Sequence, residues 1–308
     1  MAGPELPPIT NDIDEAKTQF EEFGLTRLGG CLTDEQVRAI RARLDDQALA
    51  ERQAGVATIE TGRGTHDLSK VQDDAPNQRV WGLLNKGDEF VDLAINPNPI
   101  QMMRRIFGES YGLRPGLAEG FGMDEVLLSS LTANIAGPGG EKMDLHMDQF
   151  YIPPSIPFTA VINIVWMIDE FTADNGATLV APGSHKAEKP LKFLKYPPET
   201  APATGPAGTA LIFDGRLWHA TGANTTAAPR RGILAYYARP FIRQQENYML
   251  TLDRDVAAKF PDELKRMLGL KVWHSLGMVG WSAHGHVHSL TDTGLSRMEP
   301  EGALEPVE

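Results

Sequence analysis

His146-Met147-Asp148 and a later Trp218-His219, followed eleven positions on by Arg230, are the residues of this chain whose types and spacing could do chemistry. On extended backbone, residues two apart project to the same face, so the imidazole of His146 and the carboxylate of Asp148 are expected to meet at a common point. A second imidazole, His219, arriving from a distant strand would complete a three-ligand set. Two imidazoles and one carboxylate on one face of an octahedron leave three positions open, which is how proteins hold a non-haem ferrous ion for oxygen chemistry. Arg230 would then receive the carboxylate of a cosubstrate.

With eight His and 41 acidic residues in the chain, a His-x-Asp spacing also arises by coincidence, so the elements that position it matter. Leu127 to Ile135 reads as a strand ended by Gly137-Pro138-Gly139-Gly140, and the next extended stretch carries the pair. Phe158 to Ile168 is expected as a buried strand, interrupted by Thr159 and Asn163. Leu211-Ile212-Phe213 leads through the turn Asp214-Gly215 to His219, and Ile233 to Tyr237 continues a strand that begins at Arg230-Arg231. Strand alternation lets only one of those two arginines face the interior.

Short β-branched runs between Gly/Pro turns from 126 to 240 suggest a mostly β core, a double-sheet jelly roll, with helices at both ends. Helical pattern dominates 14 to 53, where Leu32-Thr33-Asp34-Glu35 gives an N-cap signal and Val37, Ile40 and Leu44 form a stripe; a second helical region covers 86 to 108. A final helical piece from Asp255 to Leu268 stops at Gly269, before a Gly-rich stretch to 288, with Trp273, Met278 and Trp281, that could fold over the barrel mouth. Residues 1–12 and 290–308, rich in Pro or Glu, are expected to be disordered tails. There is no internal repeat, and the chain is expected to form one domain over 1–308.

These residues resemble the phytanoyl-CoA dioxygenase-like branch of the Fe(II)/2-oxoglutarate oxygenases. The resemblance rests on the His146/Asp148 pair, Trp166, Asn175-Gly176-Ala177-Thr178 running into Pro182-Gly183-Ser184-His185, then His219, Asn224, Thr226 and Arg230; it begins at Phe20-Glu21-Glu22-Phe23-Gly24 and covers about residues 14 to 285. It implies a cupin-like double-stranded β-helix (jelly roll), Fe(2+) held by His146, Asp148 and His219, 2-oxoglutarate as cosubstrate and O2 as oxidant. Arg230 is implied to pair with the distal carboxylate of 2-oxoglutarate, assisted by Thr221. Arg79 and Thr178 match positions that touch the cosubstrate in some relatives, Asn134 lies on the strand whose polar side chains often do so, and Trp166 either touches the cosubstrate or packs the core. Where relatives often carry Gln within or before the His-x-Asp segment, this chain has Met143 and Met147. Relatives that halogenate have Gly or Ala in place of the carboxylate, so Asp148 argues for oxygen transfer. The implied activity is hydroxylation of an unactivated C–H bond in a small, largely apolar molecule, a natural-product intermediate or an acyl thioester, with release of succinate and CO2. The same centre could direct desaturation, ring formation or epimerisation, and a jelly roll that binds metal without redox activity is a further alternative.

Composition sets the outer bounds. At 308 residues, 42% hydrophobic and 23% charged, the chain can bury a full core. A formal net charge of −12 disfavours nucleic acid as a partner, which is gripped by neutralising phosphates. No stretch qualifies as a transmembrane helix, and the N-terminus lacks the basic and apolar regions of a secretory signal. The single cysteine, Cys31, excludes an internal disulfide and fits a reducing, cytoplasmic setting as a buried small hydrophobe. A homodimer is left open.

Three other features read mainly as structure. His284-Gly285-His286-Val287-His288 has a spacing that could seat a second metal, but such runs in Gly-rich tails commonly face solvent. Lys186, Lys189, Lys192 and Lys195 could meet a CoA phosphate or form a solvated loop. Phe150-Tyr151 could line an apolar substrate pocket or fill the core.

Overall fold

The structure is a computed structural model that describes residues 4–60, 75–112, 115–120, 122–153, 158–187 and 197–277, together with the backbone of 281–282 and 285–286. Helix α1 (Ile13–Phe23) starts where the Asp12 side chain accepts from the Asp14 and Glu15 amides, and it stops at Gly24. Gly24 holds φ +78°, and a Cβ there would lie 2.3 Å from His185 Nδ1, so both the backbone and its neighbour require glycine. Strand β1 (Leu25–Leu28) follows, then α2 (Asp34–Gln53), whose Thr33 and Gln36 form a reciprocal capping box. Val37, Ile40, Leu44 and Ala48 bury one face of α2.

Strands β2 (Thr58–Glu60) and β3 (Asn77–Val80) precede helices α3 (Asp88–Ala94), α4 (Pro97–Glu109) and α5 (Pro115–Gly120). The helical region expected over 86 to 108 is divided at Asn96, whose side chain caps α4 while Pro97 takes its first turn. The chain then runs through β4 (Leu127–Ala136), β5 (Val161–Met167), β6 (Thr178–Val180), β7 (Ala201–Pro202), β8 (Ala210–Asp214), β9 (His219–Thr221) and β10 (Arg230–Ala238). Helices α6 (Tyr248–Thr251), α7 (Arg254–Ala258) and α8 (Asp262–Met267) close the described chain, with Pro261 separating the last two where one helix was expected. None of the described helices is long and apolar enough to cross a membrane.

The strands form a seven-stranded antiparallel sheet in the order β1-β8-β5-β10-β4-β3-β2, facing a small sheet β7-β6-β9. One face of the large sheet, with Leu131, Ala133, Ile164, Trp166, Ile233 and Tyr237, packs on the helices in the largest core cluster. The other face joins the small sheet through Val165, Met167, Leu211 and Phe213. That two-sheet, helix-backed arrangement is a jelly roll.

A further expectation changes. Residues 4–12 are anchored rather than disordered: Arg27 donates to the Pro7 carbonyl at 2.6 Å, Gln19 to the Pro8 carbonyl at 3.2 Å, and Thr10 bridges to Leu28. The reason is a half-buried guanidinium on β1 that finds one of its acceptors in this segment and another at the Thr204 carbonyl. In the Gly-rich stretch after 269, Trp273 packs against the loop before β4 and the segment after β10. Its indole N–H donates to the Gly122 carbonyl at 2.5 Å and its ring lies 6.4 Å from Phe241. Met278 and residues 290–308 lie outside the described residues, as do the side chains of Trp281, His284, His286 and His288.

Candidate active site

The two histidines that stand far apart in sequence are neighbours in the backbone. His146 donates its amide to the His219 carbonyl at 3.0 Å, and His219 returns one at 2.9 Å, an antiparallel bridge that sets both side chains on one side. The segment around His146 is not a continuous strand, contrary to expectation; it is held by this bridge and by Met143 bonding to the Thr221 carbonyl, and it enters a turn at Asp148. The carboxylate still returns to the imidazoles. Asp148 Oδ1 lies 3.7 Å from His146 Nε2, Oδ2 lies 3.4 Å from His219 Nε2, and the three ligand atoms fall within 4.8 Å of one another.

Each imidazole is oriented by its own neighbourhood. Nδ1–H of His146 donates to the Asp144 carbonyl and that of His219 to the Leu217 carbonyl, both at 3.0 Å. These bonds place the proton on Nδ1 and leave the Nε2 lone pairs facing Asp148, the tautomer a metal requires. Burial, with His219 adjacent, pushes the His146 imidazole down to about 4, so it is neutral near pH 7. The Phe213 ring packs 4.6 Å from that of His219.

Beyond the triad, a cavity of about 170 Å³ runs along the inner face of the large sheet to Arg230. The register sets inner-facing side chains in rows: Ser130, Tyr236, Asn163 and Phe213 stand abreast, and Arg79, Asn134 and Gly232 form another row. Arg230 is buried. It donates to the Gly176 carbonyl at 2.7 Å, its guanidinium lies 4.4 Å from the Phe171 ring centre, and its Nε has no partner. A Cβ at Gly232 would sit 2.9 Å from an Arg230 terminal nitrogen and 3.0 Å from Phe171, so glycine here makes room for the guanidinium. Arg231 points the other way and is satisfied by Asp45 at 2.5 Å and Asp169 at 3.0 Å.

Of the remaining residues singled out in the sequence, Thr221, Thr178, Asn134 and Arg79 line the cavity. Asn134 bonds Thr221 at 3.2 Å, and its other amide atom is buried without a partner. Arg79 pairs with Glu60 at 3.2 Å. Trp166 does not belong with them. It alternates away from Val165 and Asn163, and its fully buried indole faces the helices, so its position serves the core. Phe150 is 72% exposed and Tyr151 44%, so neither fills the core. Lys186 donates to the Glu22 carbonyl at 3.0 Å, while Lys189, Lys192 and Lys195 lie outside the described residues.

Sequence reasoning did not identify Asn163, Gln149 and Tyr236. Asn163 donates to Asp148 Oδ2 at 2.8 Å, and Tyr236 donates to the Asp148 carbonyl at 3.1 Å. Gln149 fixes the turn by accepting from the Ala160 and Val161 amides and donating to the Phe158 carbonyl at 2.9 Å. The available signal was a lone amide interrupting an apolar strand.

A jelly roll whose interior converges two imidazoles and a carboxylate, with a buried arginine deeper in the same cavity, has the architecture of cupin-like metal enzymes. Residues 20–232 match the phytanoyl-CoA dioxygenase (PhyH) family, and the chain belongs to that family. It is 29% identical over 267 residues to Dioxygenase af480 of Aspergillus fumigatus, covering 85% of this chain and 78% of that one. It is 27% identical to Dioxygenase ALT11 of Alternaria alternata, covering 96% and 99%. Among solved structures, AviO1 from Streptomyces viridochromogenes superposes with a TM-score of 0.54 at 19% identity, covering 76% of this chain and 98% of that one. The non-heme alpha-ketoglutarate-dependent epimerase SnoN from nogalamycin biosynthesis gives 0.53 at 17% identity, covering 77% and 88%. At these identities the solved structures speak to the fold alone. The chain is thus an oxygenase-type enzyme by family.

Proposed function

We propose that the protein is a non-haem Fe(II)- and 2-oxoglutarate-dependent dioxygenase that hydroxylates a C–H bond of a small, largely apolar molecule. The observation that carries this reading is Arg230. Desolvation lowers its guanidinium to about 10, so it stays protonated near neutrality. No carboxylate pairs with it among the described residues, in contrast to Arg231. A buried cation left in that state is costly and calls for an anionic partner. The anion must enter by the cavity that also holds the triad, which suits a dicarboxylate with one end at Arg230 and the other at the metal.

The residues fit both groups. Neutral His146 and His219 with ionised Asp148 would hold Fe(II). Arg230 and Thr221 would hold the distal carboxylate of 2-oxoglutarate. Asn134 donates to the Thr221 hydroxyl at 3.2 Å, which leaves the Thr221 O–H free to donate to that carboxylate. Bound together, iron and 2-oxoglutarate supply the oxidising power for attack on carbon, with O2 consumed and succinate and CO2 released. The chain's own part is to keep the His146 imidazole neutral, align the anion and hold the reacting carbon at the cavity mouth.

The test is anaerobic loading with Fe(II) and 2-oxoglutarate, then admission of O2 and assay of succinate. Wild type should form succinate, whereas His146→Ala and His219→Ala should form none; undiminished succinate from either variant would remove the triad from the reaction. Mass spectrometry of the converted substrate separates hydroxylation, a gain of one oxygen, from desaturation or ring formation, a loss of two hydrogens, and from epimerisation, which leaves the mass unchanged.

A further inference from the structure

Both oxygens of Asp148 face an imidazole, at 3.7 and 3.4 Å, so the carboxylate is placed to grip a metal between the histidines through either oxygen or both. The number matters. Of six octahedral positions the triad takes three when Asp148 uses one oxygen; a two-point chelate from a 2-oxo acid then leaves a single vacancy. With both Asp148 oxygens bound, that vacancy is gone.

One neighbouring side chain already engages a carboxylate oxygen. Asn163 reaches from β5 and donates to Oδ2 at 2.8 Å. It is 5% exposed in a strand that is otherwise apolar, a position where an amide survives only if bonded. Tyr236 stands opposite Asn163 in the register, donates to the Asp148 carbonyl at 3.1 Å, and shares a hydrogen bond of 2.8 Å with the Tyr151 hydroxyl. The peptide and one carboxylate oxygen of Asp148 are therefore fixed from two adjacent strands. We propose that Asn163 is a positioning residue that holds Asp148 as a one-oxygen ligand through Oδ1 and so preserves the third open coordination position, with Tyr236 fixing the peptide that carries it. This rests on the metal-triad reading above.

The experiment loads the full chain with Mn(II) in place of iron and counts metal-bound water by its effect on solvent proton relaxation, without turnover. Wild type should show three exchangeable waters. Asn163→Leu, which removes the donor and blocks a substituting water, should show two, a loss of about one third of the relaxation enhancement. Asn163→Ser, polar but too short to reach Asp148, should give the same loss and covers the case in which leucine disturbs folding. Tyr236→Phe, with Asn163 intact, should keep three waters while weakening Mn(II) about tenfold or more. Three waters in a folded Asn163 variant would overturn the inference and leave the triad standing. Wild type that binds no Mn(II) would overturn the triad reading with it.

Discussion

At the residue scale, the three side chains that converge in the cavity were legible because His-x-Asp and a distant His are a sparse chemical code, whereas the groups that aim them were not. Asn163 looked like a blemish in an apolar run, and Trp166 could be read as a cosubstrate contact or as core; the structure puts the first in the cavity and the second in the core, since position 163 alternates inward and 166 outward on one strand. The same alternation separates Arg230 from Arg231, and it yields a direct expectation. Arg230→Ala should weaken 2-oxoglutarate by at least about 30-fold, the equivalent of ~2 kcal/mol for a buried charge losing its partner. Its Co(II) affinity, measured without the cosubstrate, should be unchanged, and a parallel loss of Co(II) would place Arg230 among the metal's supports instead. Cys31 gives an independent check. Burial pushes its thiol up to about 12, so the native protein at pH 8 should resist iodoacetamide and become labelled only on unfolding. Rapid labelling of the native state would mean that the contact between α2 and the sheet opens readily.

At the element scale, the large-sheet strands that wall the cavity, β4, β5, β8 and β10, were legible in outline because each carries a short apolar run, whereas the segment bearing His146 and Asp148, read as a strand, is a bridge and a turn. What escaped was local. β1, four residues between two helices, has no room to show alternation, and it was absorbed into the helical pattern over 14 to 53. The breaks at Asn96-Pro97 and Phe260-Pro261 lie inside continuous apolar periodicity, where only the proline marks the end of a helix. The role of Gly232 is invisible without the fold, since nothing in the sequence says that the guanidinium of Arg230 lies across it. Gly232→Ala should therefore act on the site more than on the strand. A Cβ there meets Arg230 at 2.9 Å and Phe171 at 3.0 Å, and overpacking of this kind costs about 1–3 kcal/mol. The expected result is a folded protein with a lower Tm and a weakened 2-oxoglutarate affinity, read by calorimetry on one sample. A lower Tm with unaltered affinity would show that Phe171 yields rather than the guanidinium.

At the scale of the whole molecule, the helices on one face of the large sheet and the small sheet on the other leave the cavity as the place where polar side chains accumulate in an otherwise apolar interior, and the first helix is tied to the barrel through His185. That residue sits against Gly24 at the end of α1, with Nε2 3.4 Å from the Glu21 carbonyl and Nδ1 buried without a partner. Burial lowers its imidazole below the ordinary value of 6.5; Asp214 opposes that shift, while Arg216 and Lys186 add to it. The sign follows from linkage. With the folded value below the unfolded one, the unfolded chain binds more protons in acid, so His185 contributes stability in full above about pH 6.5 and loses it as the pH falls through the imidazole range. The metal-free protein should accordingly show a falling Tm from pH 7 towards 5, and His185→Asn, which removes the titrating ring while keeping a polar side chain, should flatten part of that slope. If the variant kept the full slope, the acid sensitivity would have to come from other groups, and the junction between α1 and the turn after β6 would be a packing contact with no part in it.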